Sequence, residues 1–387
     1  MRRDTLGTLG VAGTISLILA SLLLAGSAAG REQAHKASSV DRLTQAQLVG
    51  QRVILSYSGP APPDALFDQI RRGRVAGVIF FGENITSPQQ IAQTNVQLQE
   101  AVEHSVLPRA LRRPLLLMTD QEGGIVRRLP GPPDLSEAQI GVSPDRRHVA
   151  AQAGRGAGEN LGSVGMNVNL APVLGVLSTA DNFLEKFGRL YSTSARVVSR
   201  LGGAFIAAQQ QVGVAATSKH FPGLGAAGAV DTDTAPISID VSKRTLRSVD
   251  EFPYRRAIRM GTRLVMLSNA TYPALDPDRP AGLSRPVIQG ELRRRLGFDG
   301  VTITDALEAG GLENFGSIPN RGVLAAQAGA DLLLFSAKDV DEGIQGYEGL
   351  LGAYRSRSLN RPQFKRSVER VLRLRKVLAS GTRLPPP

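Results

Sequence analysis

From about residue 43 onward, short apolar runs alternate with longer amphipathic segments. The runs are rich in Val, Ile and Leu and occupy 52–57, 77–81, 115–119, 166–170, 214–218, 264–268, 301–304 and 331–335. They are continuous rather than alternating, the pattern of parallel strands buried on both faces. Helical periodicity fills 88–103, 194–212, 245–260, 285–296 and 322–328, and a last basic amphipathic helix spans 361–378. Such alternation predicts an α/β fold with right-handed crossovers. Eight units over this length predict a single (β/α)8 barrel of the TIM type, irregular in places, with the C-terminal helix packed on it. A doubly wound sheet would want a Gly-rich phosphate turn after the first strand, and Ser58-Gly59-Pro60-Ala61-Pro62-Pro63 is not one.

The two ends fall outside this pattern. Arg2-Arg3 precede an apolar run at 11–25 and the small residues 26–30, the layout of a secretory signal peptide. The run is short for a membrane span, which takes about 20 residues, so an uncleaved N-terminal anchor is the alternative. Either way the body is expected to lie outside the cytoplasmic membrane, secreted or tethered through 11–25. The polar stretch 31–42 reads as a linker, 43–380 as the barrel and 381–387 as a disordered tail.

Composition narrows the chemistry. The 387 residues include no Cys, which excludes disulfides, a thiolate nucleophile and Cys-ligated zinc. The four histidines, His35, His104, His148 and His220, are scattered without metal-ligand spacing, so no metal and no other cofactor is expected. The net charge of +12 is spread along the chain and there is no Trp, so nucleic acid is not the expected partner. A basic surface held to an anionic wall polymer is a further reading of that charge. The chain is expected to act as a monomer.

In a barrel of this kind the chemistry sits at the C-terminal strand ends. The apolar runs lead into Asp120, Asn169, Lys219-His220, Asn269, Asp305 and Ser336. Asn269 and Ser336 read equally well as turn or capping residues. Lys219-His220 does not, because neither is a capping residue. Two carboxylates on one rim, without metal ligands or a Ser-His-Asp set, point to acid/base or nucleophilic carboxylate chemistry, of which glycoside hydrolysis is the commonest case. Beyond the Pro222-Gly223 turn, a run of small residues reads as a mobile loop ending in Asp231-Thr232-Asp233.

Four ordered motifs carry a resemblance: Gly77-Val78-Ile79-Phe80-Phe81-Gly82-Glu83-Asn84-Ile85; Asp120-Gln121-Glu122-Gly123-Gly124 through Arg128-Leu129; Lys219-His220-Phe221-Pro222-Gly223; and Gly297-Phe298-Asp299-Gly300 through Thr304-Asp305. They resemble the N-terminal barrel domain of glycoside hydrolase family 3, in the single-domain form of bacterial β-N-acetylhexosaminidases. The resemblance implies a carbohydrate substrate, an amino-sugar glycan such as a cell-wall fragment. It implies Asp305 as the nucleophile of a retaining enzyme, with Asp120, Arg128, Lys219 and His220 as sugar binders. Gly188-Arg189-Leu190-Tyr191-Ser192 is similar to the family's Gly-x-Arg-Ser-Phe turn, and Arg189 then matches another binder.

One position departs from the family. Where its N-acetylglucosaminidases carry Asp-Ser-His, with His as acid/base, this chain has Asp231-Thr232-Asp233. Asp233 then serves as the acid, with Asp231 as the like-charged neighbour that keeps it protonated. The alternative is a non-catalytic or weakly active homologue that still binds glycans.

Overall fold

The structure, a computed structural model, describes residues 39–380. The signal or tether at 1–30, most of the linker and the tail at 381–387 lie outside the described residues. Two compact units meet between Arg42 and Leu43. The first contributes the 3-10 turn Ser39–Arg42, and the second, from Leu43, is the barrel.

Eight parallel strands form its wall: β1 (Val53–Leu55), β2 (Gly77–Ile79), β3 (Leu116–Thr119), β4 (Val168–Asn169), β5 (Ala215–Phe221), β6 (Leu264–Leu267), β7 (Val301–Thr304) and β8 (Leu333–Leu334). Seven lie within the apolar runs, and β5 begins in the run 214–218 and continues through Lys219 and His220 to Phe221. The order β7-β6-β5-β4-β3-β2-β1-β8 follows the chain, and a parallel bridge from Ile303 to Leu332 joins its two ends. Outside the wall run α1 (Asp64–Arg71), α2 (Pro88–Glu103), α3 (Arg146–Ser163), α4 (Ala195–Gln211), α5 (Phe252–Arg259), α6 (Ile318–Ala328), α7 (Val340–Arg355) and α8 (Arg361–Leu378). Among the described residues no helix is long and apolar enough to cross a membrane.

Two expected helices take other forms. The stretch at 245–260 divides into a π-helical turn, Leu246–Asp250, and α5. Pro253 lies in the first turn of α5, where its missing N–H goes unused. The stretch at 285–296 is π-helical over Pro286–Arg295.

The C-terminal helix closes the lower end of the barrel. Val371, Leu374 and Leu378 of α8 join the same buried cluster as Ile54, Leu116, Val168, Leu264 and Val301. Polar groups beside this plug are paired. The buried Arg375 donates from Nε to Pro114 O at 2.9 Å and from Nη2 to Arg113 O at 2.6 Å. Asp331, fully buried, meets Arg370 at 2.8 Å and also pairs with Arg293, while Thr302 N donates to it at 2.9 Å. Burial opposes the charge on Asp331, but Arg293 and Arg370 prevail and hold its carboxyl down at about 2. Because the folded value is depressed, this contribution to stability is present above the ordinary Asp value of about 3.9 and fades as pH falls toward the folded one. Removing one partner strands the others. Asp331→Ala is therefore expected to lower the unfolding free energy by about 3–5 kcal/mol in a denaturant titration at neutral pH. A loss within experimental error would show that the arginines reach water.

Candidate active site

The functional side chains stand at the upper, C-terminal ends of the strands. Asp120 follows β3 directly, and the chain then folds into a short hairpin, Gln121–Gly123 against Val126–Arg127. Gln121 staples it: its Nε2 donates to Leu129 O at 2.9 Å, and its Oε1 accepts from Arg128 N and Leu129 N, both at 3.1 Å. The hairpin thereby turns Arg128 back beside Asp120. Lys219 and His220 lie within β5, and Asp305 follows β7.

One cavity of about 380 Å³ opens between these strand ends. Asp120, Arg128, Arg189, Lys219, His220, Asp231, Asp233 and Asp305 all line it, so the structure brings every site residue read from the sequence to one place. Ser336 lines it as well, whereas Asn269 is buried and bonds Ala306 O. His104 and His148 are not among the lining residues.

At the floor is a charge network that the sequence reading left incomplete. Lys219 Nζ lies 2.6 Å from Asp120 Oδ1 and 2.7 Å from Glu122 Oε1. Glu122 is buried and also takes two parallel bonds from Arg189, each 2.8 Å. Burial opposes the Glu122 charge, yet Arg189 and Lys219 hold the carboxyl down at about 2. Burial would lower Lys219, and Asp120 and Glu122 instead keep it above its ordinary value. Behind them Glu137 accepts from Val173 N at 2.8 Å; burial, then the Glu122 charge, pushes its acid well above the usual range. Glu137 is thus a neutral acid next to an ionised one. Burial followed by Lys219 and Arg189 drives His220 well below its ordinary value, so the imidazole is neutral. Its Nε2 is 3.8 Å from Asp305 Oδ2, a contact rather than a hydrogen bond.

The loop at 224–234 is docked on both sides. Asn182, buried, donates from Nδ2 to Leu224 O at 2.8 Å, Gly225 O at 3.1 Å and Ala227 O at 2.9 Å. On the far side Gly310 N donates to Asp233 O and Gly311 N to Thr232 O, both at 2.9 Å. That approach is open only to glycine: a Cβ at either position would lie within 2.3 Å of Thr234 O or 2.5 Å of Thr232 O. The loop that reads as mobile in the sequence is therefore clamped in this structure. Within it Asp231 Oδ1 accepts from Asp233 N at 3.0 Å and so shapes the turn.

Asp233 and Asp305 form the second acidic pair. Burial, then the Asp233 charge, raises Asp305 to about 7, although Ala306 N donates to its Oδ1 at 2.9 Å. Loss of water in the cleft, then Asp231, raises Asp233 to about 6. Asp233 is nonetheless exposed at the cavity mouth, so solvent screens part of that effect. Both acids are thereby raised toward neutral pH. Such a pair can present one carboxylate and one carboxylic acid at once. Ile125 and Phe187, both exposed, complete an apolar margin at the mouth.

Glu122, Glu137 and Asn182 were missed from the sequence as site residues. Glu122 stands inside a recognisable motif, but nothing local distinguishes it from a turn carboxylate. Glu137 and Asn182 belong to loops whose partners lie far along the chain. Among the described residues, no group of three or more His, Asp or Glu side chains is arranged to hold a metal ion.

Comparison with known proteins gives a consistent result. The N-terminal domain of glycosyl hydrolase family 3 matches residues 41–374. A protein of Arthroderma benhamiae named as an uncharacterized secreted glycosyl hydrolase is 42% identical over 348 residues, 90% of this chain and 97% of its own. The solved family 3 β-N-acetylglucosaminidase of a Paenibacillus species superposes with a TM-score of 0.81 at 34% identity over 87% of this chain, which spans 63% of that one. The β-N-acetylhexosaminidase of Beutenbergia cavernae superposes at 0.77 with 29% identity, over 87% of this chain and 99% of its own.

Proposed function

The chain belongs to glycosyl hydrolase family 3, and from that premise we propose a retaining β-glycosidase that removes terminal β-linked N-acetylglucosamine-type sugars from glycans outside the cell. The observation that carries the reading is that Asp305 and Asp233 line one pocket floored by Lys219, Asp120 and Arg189. The relatives named above as β-N-acetylglucosaminidase and β-N-acetylhexosaminidase support the sugar class, and the relative named as secreted supports the location.

The chemistry follows from the two carboxyl groups. Asp120, Lys219, Arg128 and Arg189 hold sugar hydroxyls through charge-assisted bonds. Neutral His220 adds a donor or acceptor without competing for the Asp305 charge. An Asp305 oxygen attacks C1 as the glycosidic C1–O bond breaks, and Asp233 gives its proton to the departing oxygen. Asp233, now a carboxylate, takes a proton from water. That water attacks C1 and releases Asp305. Asp231 holds the Asp233 turn and, by its charge, favours the proton on Asp233. The Ala306 N–H and the Lys219 charge favour the negative charge on Asp305.

The active form carries one proton on the pair, on Asp233; because Asp305 is raised further than Asp233, this is the minor of the two singly protonated forms. Below about 6 both acids are protonated and the nucleophile is lost; above about 7 both are ionised and the proton donor is lost. We therefore expect a narrow bell-shaped kcat/KM profile between those values. The test uses a chromogenic β-N-acetylglucosaminide beside the β-glucoside and β-xyloside. The acetamido sugar is expected to turn over fastest, with that profile. Failure to turn over any of the three faster than Asp305→Ala would overturn the assignment and leave a glycan-binding homologue.

A further inference from the structure

The lower end of the barrel, opposite the pocket, gathers cations that look dispersed in the sequence. Turns from helix to strand lie at this end. The turn before β2 carries exposed Arg71 and Arg72, and the turn before β3 carries exposed Arg109 and Arg112. Arg259 and Arg294, also exposed, lie at the ends of the helical segments that lead into β6 and β7. The plug α8 buries one face in the barrel core. Its outer face is a single stripe, Arg366, Glu369, Arg373 and Lys376, spaced at helical intervals and exposed throughout. Asp68, which pairs with Arg71 at 3.3 Å, and Glu100, Glu103, Asp299 and Glu369 are exposed acids set against these cations. The upper end carries both signs: Asp120, Asp231, Asp233 and Asp305 share the pocket with Arg128, Arg189 and Lys219, and Glu83 pairs with Lys338.

The chain also joins the barrel at this lower end. The helix Gln45–Gly50 immediately precedes β1, and Gln51 Nε2 donates to Gly73 O, in the turn before β2, at 3.1 Å. Gln51 Oε1 accepts in turn from Arg375 of α8. The sequence before the barrel includes Arg2-Arg3 and the apolar run 11–25.

We propose that this lower face, with the α8 stripe at its centre, docks on an anionic lipid surface and holds the pocket facing away from it. Long cationic side chains gain most where negative headgroups are dense and closely spaced. The upper end, where both signs are present and paired, gains little from the same surface, so the field orients the molecule as well as attracting it. The apolar run 11–25 earlier in the chain adds membrane affinity. A lipid surface is preferred to an anionic wall polymer because a polymer gives no part to that apolar segment.

The experiment uses the full chain and vesicles of phosphatidylcholine alone or with an equal part of phosphatidylglycerol. The readout is the ratio of partition coefficients, anionic over neutral vesicles, so that any contribution of 11–25 common to both cancels. Arg366→Glu, Arg373→Glu and Lys376→Glu together are expected to lower that ratio by at least ~10-fold. The corresponding Gln variants should lower it less, in the same direction. Added salt should shrink the wild-type ratio, since the Debye length falls from about 10 Å at 0.1 M to 3 Å at 1 M. Hydrolysis of a soluble chromogenic glycoside should be unchanged, because none of the three residues lines the pocket. An unchanged ratio in the reversed variant overturns the proposal. So does a wild type that prefers isolated anionic wall polymer while showing no preference for anionic vesicles.

Discussion

Asp305→Asn is expected to lower kcat/KM by on the order of 10⁴-fold or more while leaving the fold intact. The amide is isosteric with the carboxylate and still accepts the Ala306 N–H, which now bonds Oδ1 at 2.9 Å. It cannot form the covalent bond to C1. Stability should move the other way. Burial and Asp233 raise the Asp305 acid to about 7, above its ordinary value. A raised acid is a group whose ionised form is disfavoured by folding, so above the unfolded value the charge works against the native state. The neutral amide removes that opposition. Thermal unfolding near pH 7 or above should then occur at the wild-type temperature or higher, as expected of a site that trades stability for activity. Activity within ~10-fold of wild type would place the nucleophile elsewhere.

Asp233→Asn is expected to have the second largest effect, and a selective one. Losing a general acid costs ~10²–10⁴-fold when the leaving oxygen needs a proton. That loss should appear with sugar and alkyl leaving groups. With a dinitrophenolate leaving group, which departs as an anion, the first step should be nearly unaffected. The alkaline limb of the pH profile should disappear with the variant, because that limb reports the proton Asp233 donates. A purely structural loss would lower all leaving groups alike, and that outcome would reduce Asp233 to a turn residue. Asp231 separates from Asp233 by geometry: its Oδ1 is already engaged by Asp233 N at 3.0 Å. The docking of the loop bears on the same question. Asn182 and the Gly310-Gly311 pair hold the loop that carries Asp233 at the pocket.

The fold was legible because its signal is local and repeated. Each strand is a continuous apolar run, and the C-terminal end of each run marks where a polar side chain reaches the rim. Asp120, Lys219, His220 and Asp305 could be placed there from position alone. The two irregular helices were not legible in form, since the slip at Leu246–Asp250 and the π-helical hydrogen bonding at 286–295 leave the apolar spacing almost unchanged. The carboxylates that matter most to the charge balance were less legible still. Glu122 pairs with a residue 67 positions away and Lys219 with one 99 away.

The sequence by itself determined the barrel and the residues at its rim, because periodicity and residue identity are properties of the chain. Only the tertiary structure decided the charge states. Whether Glu122 is ionised, Glu137 neutral or Asp305 raised depends on burial and on neighbours supplied by other strands. The clamp on the loop and the gathering of scattered arginines on the lower face belong to the same class. Both arise when segments distant in sequence are brought to one surface, and charge acts through space rather than along the chain.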